Sequence, residues 1–333
     1  MSRLAIIVVF TLAGLTFSCE KVLFGPDKAT TNPYANFDYL WDEVDKKYSY
    51  FVLKSVDWNA IRTHYRSQLY EGMGEEELFS VLASMLNQLR DDHTNLISPF
   101  SVSVYTQPQQ ANLNFHPTTV WENYIDERIL TGSFQHGNIT GKNIGYVRYS
   151  SFSNAVSNAH LYYIFNTYAN ARGIILDLRE NGGGNSLNVG TLLSAFSLSE
   201  IQVGSFITRN GPEHTDFSSP EPFMVSAGSI VYTKPVVVLI DKGSYSATTM
   251  FALGTKAMPG ITLVGDTTGG GGGLPNGGQL PNGWSYRFSI SQLLDLVGNS
   301  YAESGVPPDI LADFDWSDLS KDEILDQAIL TFE

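Results

Sequence analysis

The chain has 333 residues, 43% of them hydrophobic, a globular composition long enough for a large core and two structural parts. A net charge of −14 argues against nucleic acid as a partner, because phosphate binding needs a basic surface. A single cysteine, Cys19, rules out a disulfide within one chain.

Arg3 precedes an apolar run of 14 residues, 4–17. That is short of the roughly 20 apolar residues a membrane helix needs, and it predicts a secretory signal peptide over 1–18. Cys19 resembles the lipid-attachment cysteine of bacterial lipoproteins. The resemblance implies an exported, cell-envelope protein held to the membrane through a lipid on Cys19. An ordinary cleaved signal and an uncleaved anchor are the alternatives. Residues 19–33 are polar, contain Pro26 and Pro33, and read as a tether.

Phe37, Leu40, Trp41, Val44 and Tyr48 recur at helical spacing, and so do Leu78, Val81, Leu82, Met85, Leu86 and Leu89. With a further helix over 57–69, they predict an N-terminal helical domain over 34–94 whose stripes are core. Residues 95–142, rich in Ser, Gln, Asn and Thr, read as connecting strands and loops. From 143 strands (143–152, 173–179, 236–241, 261–266) alternate with helices (155–170, 186–198, 247–258). That alternation predicts an α/β core over 143–333 built on a largely parallel sheet. Ser320 and Glu323 have capping-box spacing and open a last helix through Leu330.

Gly182-Gly183-Gly184 and the run 269–273 each follow a strand. No Gly-Lys-Ser/Thr follows either, and no G-x-G-x-x-G frame fits, so nucleotide binding is set aside. Glycines here permit a left-handed backbone or close approach to a bound chain. For the five-glycine run, a flexible loop is the other reading.

An apolar strand, the turn Gly243-Ser244-Tyr245-Ser246 and a helix place Ser246 at a helix N-terminus. Unpaired backbone N–H groups and the helix dipole favour negative charge there, which suits acyl transfer. Alternatively, Ser244 or Ser246 is only an N-cap. A nucleophilic serine needs a base. Of the six histidines, His64 and His160 lie in helical patterns, and His116, His136 and His214 lie in polar stretches. His93, in Asp91-Asp92-His93-Thr94, sits beside two acids after a helix. It is either poised near neutral pH or a capping or surface residue. Lys256 lies about 15 Å along the same helix, too far to take the proton, and Lys242 precedes the turn. Spacing leaves open whether His93 meets Ser246.

The segments 143–152, 173–184, 235–250, 261–273 and 305–310 resemble the tail-specific (C-terminal processing) and tricorn-core family of serine peptidases. The resemblance implies a ClpP/crotonase-like α/β core behind the helical domain, with Ser246 as nucleophile in Ser-x-Ser-Ala. The lysine of the processing branch would fall at Gly271, so the chain is more similar to the tricorn-like branch. That branch implies His93 as base and Glu303, shortly before Gly305-Val306-Pro307-Pro308-Asp309, as its acid. Asp92 replaces the branch's serine, so either Asp92 or Glu303 orients His93. Oxyanion donors would be the backbones of Gly183 and Ala247. The 48 residues of 95–142 are too few for the PDZ module of many members. A peptide or protein substrate is implied, pairing with a strand edge beside 182–184, with no metal or cofactor. Two rivals are a non-catalytic peptide- or lipid-binding protein on the same scaffold and a hydrolase of small acyl compounds.

Overall fold

A computed structural model of the protein describes residues 29–106 and 114–333. The signal segment, Cys19 and most of the tether lie outside the described residues.

Helices α1 (Pro33–Lys47), α2 (Phe51–Lys54), α3 (Trp58–Arg66) and α4 (Glu75–Asn87) form the N-terminal part. The carboxamide of Asn32 accepts from the Ala35 amide and the carboxylate of Asp57 accepts from the Ala60 amide, so α1 and α3 start at capped ends. Trp41 and Trp58 stack, and each indole N–H donates to the other's carbonyl at 3.1 Å. The same core takes in Leu280, Trp284, Tyr286 and Phe288 from far along the chain.

After α4 come β1 (Asn95–Ile97), β2 (Val102–Val104), α5 (Pro117–Asn123), β3 (Ile129–Thr131), β4 (Phe134–Asn138), β5 (Gly145–Tyr149), α6 (Asn158–Thr167) and β6 (Ile174–Asp177). They are followed by α7 (Ser186–Ser194), β7 (Ile201–Thr208), β8 (Glu221–Val225), β9 (Val236–Ile240), α8 (Ala247–Lys256) and β10 (Ile261–Gly265). The last elements are β11 (Pro275–Gln279), β12 (Ser285–Ser289), β13 (Ser291–Leu294), β14 (Ile310–Leu311) and α9 (Glu323–Leu330).

A seven-stranded sheet runs β14-β10-β9-β6-β5-β4-β3, parallel from β14 to β5 and antiparallel beyond. β9 is apolar at every position because both faces are covered. Val236, Val238 and Ile240 enter one core with α6, α7 and α8, while Val237 and Leu239 enter another with α9. Beyond the short strands expected within 95–142, the two antiparallel sheets β11-β12-β1-β2 and β13-β7-β8 had no counterpart in the sequence reading, and neither did α5. In the first of these sheets Asn95 lies opposite Arg287, which brings the segment after α4 beside a strand of the C-terminal core.

One expectation is corrected and one open alternative is decided. The last helix is capped by Asp322, not Ser320: Asp322 accepts from the Leu325 amide at 2.9 Å, whereas Ser320 closes a turn with Asp318. The five-glycine run is not a free loop. Gly270 bridges Tyr245, Gly272 is bonded to Ala302 and Leu293, and the ring of Tyr245 leaves no room for a side chain at Gly271.

Candidate active site

Ser246 ends the turn between β9 and α8 with φ 57° and ψ −114°, a backbone that residues with a Cβ rarely adopt. Neighbouring hydrogen bonds hold this strained conformation. The Ser246 amide donates to Gly270 O at 2.9 Å, and the Tyr245 amide donates to Asn181 O at 3.0 Å. Ser244 is fully buried and structural: its hydroxyl donates to Leu178 O at 2.9 Å and its amide to Asp241 Oδ1 at 3.0 Å. Ser246 stands at the N-cap position but makes no capping bond. Its hydroxyl instead faces His93 Nε2 at 3.0 Å, across 153 residues of sequence.

The His93 ring is placed by its own backbone, whose amide donates to Asp91 Oδ1 at 2.9 Å. Its other nitrogen, Nδ1, lies 3.4 Å from Ser289 Oγ and 3.9 Å from Asp91 Oδ1. Burial lowers the His93 pKa below its ordinary 6.5; Asp91 opposes that shift and Arg287 adds to it. The ring is therefore neutral at pH 7, and a proton on Nδ1 leaves Nε2 free to accept from Ser246. The Tyr245 ring lies 5.4 Å away.

Glu303 forms an ion pair with Lys54, and Lys54 also donates to Arg90 O at 2.6 Å. No hydrogen bond joins Glu303 to His93 among the described residues. Burial raises the Glu303 pKa to about 7; Lys54 opposes the rise and Asp91 and Asp92 reinforce it. Asp92 is half-buried in this acid group. The sequence reading missed Lys54, Ser289 and the role of Asp91. The one signal for Lys54 was a lysine closing the apolar stretch Phe51-Val52-Leu53.

Ala247 is the first residue of α8, and its amide donates to none of the described residues. The Gly183 amide is engaged, donating to Asn181 Oδ1 at 3.0 Å. It reaches a developing oxyanion only if that bond is released. Gly183 has φ 92°, and a Cβ there would meet Tyr245 O at 2.6 Å, Ala247 N at 2.8 Å and Ser246 Cβ at 2.9 Å. Gly183→Ala is therefore expected to lower kcat about 100-fold or more through displacement of the turn. Steady-state kinetics beside circular dichroism of the variant would check this.

The remaining histidines lie elsewhere. His136 is buried between Thr131 and Tyr168, His214 pairs with Asp45 against Phe51, and His116 caps α5. His64 lies on α3 and His160 on α6. Lys256 pairs with Asp309. Among the described residues no group of three or more His, Cys, Asp or Glu could hold a metal ion.

Residues 143–312, a little over half of the chain, match the family model of peptidase family S41, and residues 31–87 match that of the tricorn protease C1 domain. The chain belongs to peptidase family S41. A crystal structure of a candidate peptidase from Parabacteroides merdae is 34% identical, with a TM-score of 0.83 over 91% of this chain and 97% of that one. The photosystem II D1 C-terminal processing protease is similar in fold, with a TM-score of 0.59 at 17% identity over 85% of this chain and 94% of that one. The carboxyl-terminal-processing protease of Synechocystis sp. is 26% identical over 194 residues, 58% of this S41 chain and 40% of that protein. Carboxy-terminal processing protease CtpA of Bacillus subtilis is 26% identical over 51% of this chain and 35% of that protein. This S41 chain thus spans two fifths or less of the length of these curated relatives.

Proposed function

We propose that this chain is a serine-type endopeptidase that cleaves peptide or protein substrates through an acyl-enzyme. The carrying observation is the 3.0 Å approach of Ser246 Oγ to His93 Nε2 at a strained strand-to-helix turn. His93 takes the proton as Ser246 attacks the carbonyl carbon, and Ala247 N–H, joined by Gly183 N–H once freed from Asn181, holds the oxyanion. His93 then gives the proton to the leaving amine, and water releases the acyl group by the reverse sequence. Asp91 and Ser289 orient His93 at Nδ1. Glu303, paired with Lys54, and Asp92 set the charge around the ring.

A fluorophosphonate probe tests the reading. Labelling lost in Ser246→Ala, together with casein cleavage, supports it; no labelling between about pH 6 and about pH 9 favours a binding protein on this scaffold. Because the base must be neutral and its pKa is lowered, kcat/KM should rise with pH along an acid limb centred below 6.5. An acid limb centred above 6.5 would contradict the burial of His93.

Export and a lipid on Cys19 complete the proposal. They rest on the apolar run 4–17 and the cysteine after it. No helix among the described residues is long and apolar enough to cross a membrane. Incorporation of labelled palmitate that Cys19→Ser abolishes would support the anchor, and incorporation unchanged in that variant would refute it.

A further inference from the structure

Along β12 the side chains alternate. Tyr286 and Phe288 enter the core beneath the helices, so Arg287 and Ser289 face the other way. Ser289 is the residue whose hydroxyl approaches His93 Nδ1, so Arg287 stands about 7 Å further along the sheet face that carries the imidazole. Its register partners on that face are Asn95 and Gly277. Arg287 is exposed, and among the described residues its guanidinium makes no hydrogen bond or ion pair.

The neighbouring strands extend the same face. Cross-strand pairing puts Ile97 opposite Val102 and Asn95 opposite Val104. Ile97, Val102 and Val104 are 43%, 60% and 50% exposed, while Leu96 between them is buried. The face next to His93 thus carries one unpaired cation and three open apolar side chains, beside Asn95 and Ser285.

We propose that Arg287 is a substrate-binding residue. It takes a carboxylate of the substrate on the leaving-group side of the scissile bond, and Ile97, Val102 and Val104 receive the apolar side chains around it. The side follows from the chemistry: His93 must reach the leaving amine, so the departing part of the substrate passes the imidazole, and Arg287 lies beyond it. A guanidinium suits this role because its planar fork grips a carboxylate through two parallel hydrogen bonds. An aspartate or glutamate side chain and a chain terminus offer the same group. The proposal rests on the serine-peptidase reading and assigns its substrate class.

Four fluorescent peptides test it. They share one sequence around the bond, carry Glu or Gln on the leaving side, and end in a free or amidated carboxyl. Affinity is measured by anisotropy on the full chain carrying Ser246→Ala, and kcat/KM on the wild type. At least one carboxylate peptide should bind about tenfold tighter than the Gln amide. Arg287→Ala should erase that preference, and Arg287→Glu should reverse it, so that the Gln amide binds tighter than the carboxylate peptides. Whether the Glu side chain or the free terminus carries the preference identifies the source. Equal affinity for all four peptides, or a preference that Arg287→Glu leaves in place, overturns the proposal. Failure of the peptidase reading looks different: no Ser246-dependent fluorophosphonate labelling and no cleavage of any peptide by the wild type, whatever the affinities.

Discussion

Replacing Ser246 with alanine is expected to reduce kcat/KM about 10⁴- to 10⁶-fold, the loss seen when a serine–histidine unit loses its nucleophile. His93→Ala should cost a similar amount, and the double variant should be no worse than either single one, because the two groups act as one unit. Stability should barely change. Among the described residues the Ser246 hydroxyl bonds only to His93, so its removal leaves no buried group there unsatisfied apart from one imidazole nitrogen. Ser246→Gly sharpens the test. It also removes the nucleophile, but it relieves the positive φ and should raise stability by about 1 kcal/mol. Steady-state kinetics and urea unfolding of the four proteins would check both claims. A single variant keeping a tenth of wild-type activity would remove Ser246 or His93 from the chemistry.

The largest effect on stability is expected at Arg179. Its guanidinium is fully buried and donates to Asp177 (2.6 Å), to Asp322 (2.8 Å) and to Asn114 O (2.8 Å). Arg148 adds a second cation at 3.2 Å from Asp177, and Tyr146 donates to it at 2.7 Å. Burial alone would raise the Asp177 carboxyl, but Arg179 and Arg148 outweigh it and hold its pKa below the ordinary 3.8. At Asp322 burial prevails over Arg179 and the pKa lies above 3.8. Arg179→Leu leaves two buried carboxylates, one of them the cap of α9, and should cost about 3–5 kcal/mol. The pH dependence should also turn. Without the guanidinium both carboxyls titrate above their unfolded value, so the native state binds more protons and stability falls as pH rises above 3.8. Urea midpoints at pH 5 and pH 7 would read this. A variant equally stable at both values, and within 1 kcal/mol of wild type, would mean that water has replaced the guanidinium.

The network also bears on the site. It ties the end of β6 to α9, and Asn181 and Gly183 follow from that end into the turn of Ser246. A weakened Arg179 is thus expected to loosen the oxyanion side before the fold is lost.

Local patterns were legible where one element carries the signal. The wholly apolar run of β9, the small residues after it and the following helix identified the turn that bears Ser246, because a doubly covered parallel strand has no polar face to confuse the period. The stripes of α1 and α4 were legible for the same reason, since each buries one helical face. Short elements were not. β1, β2 and β3, expected only as unplaced strands within 95–142, have three residues each, too few to show a period, and α5 starts from a histidine cap and a proline within a polar stretch. The cap of α9 was misplaced because Ser320 and Asp322 both suit the role, and the buried Arg179 decided between them.

By itself the sequence determined that a serine would lie on a turn at a helix N-terminus, that a histidine would stand beside two acids, and that the C-terminal half would be a layered α/β unit. Only the tertiary structure decided that these meet. His93 is brought to Ser246 because β1 pairs with β12, some 190 positions later. The same pairing presents Ser289 to Nδ1 and aligns Arg287 with the ring, while Lys54 takes Glu303 away from it. Hydrogen-bond registers between distant strands and ion pairs between distant helices and loops leave no periodic trace in a chain. Their partners are chosen by closure of the whole core, not by the residues on either side.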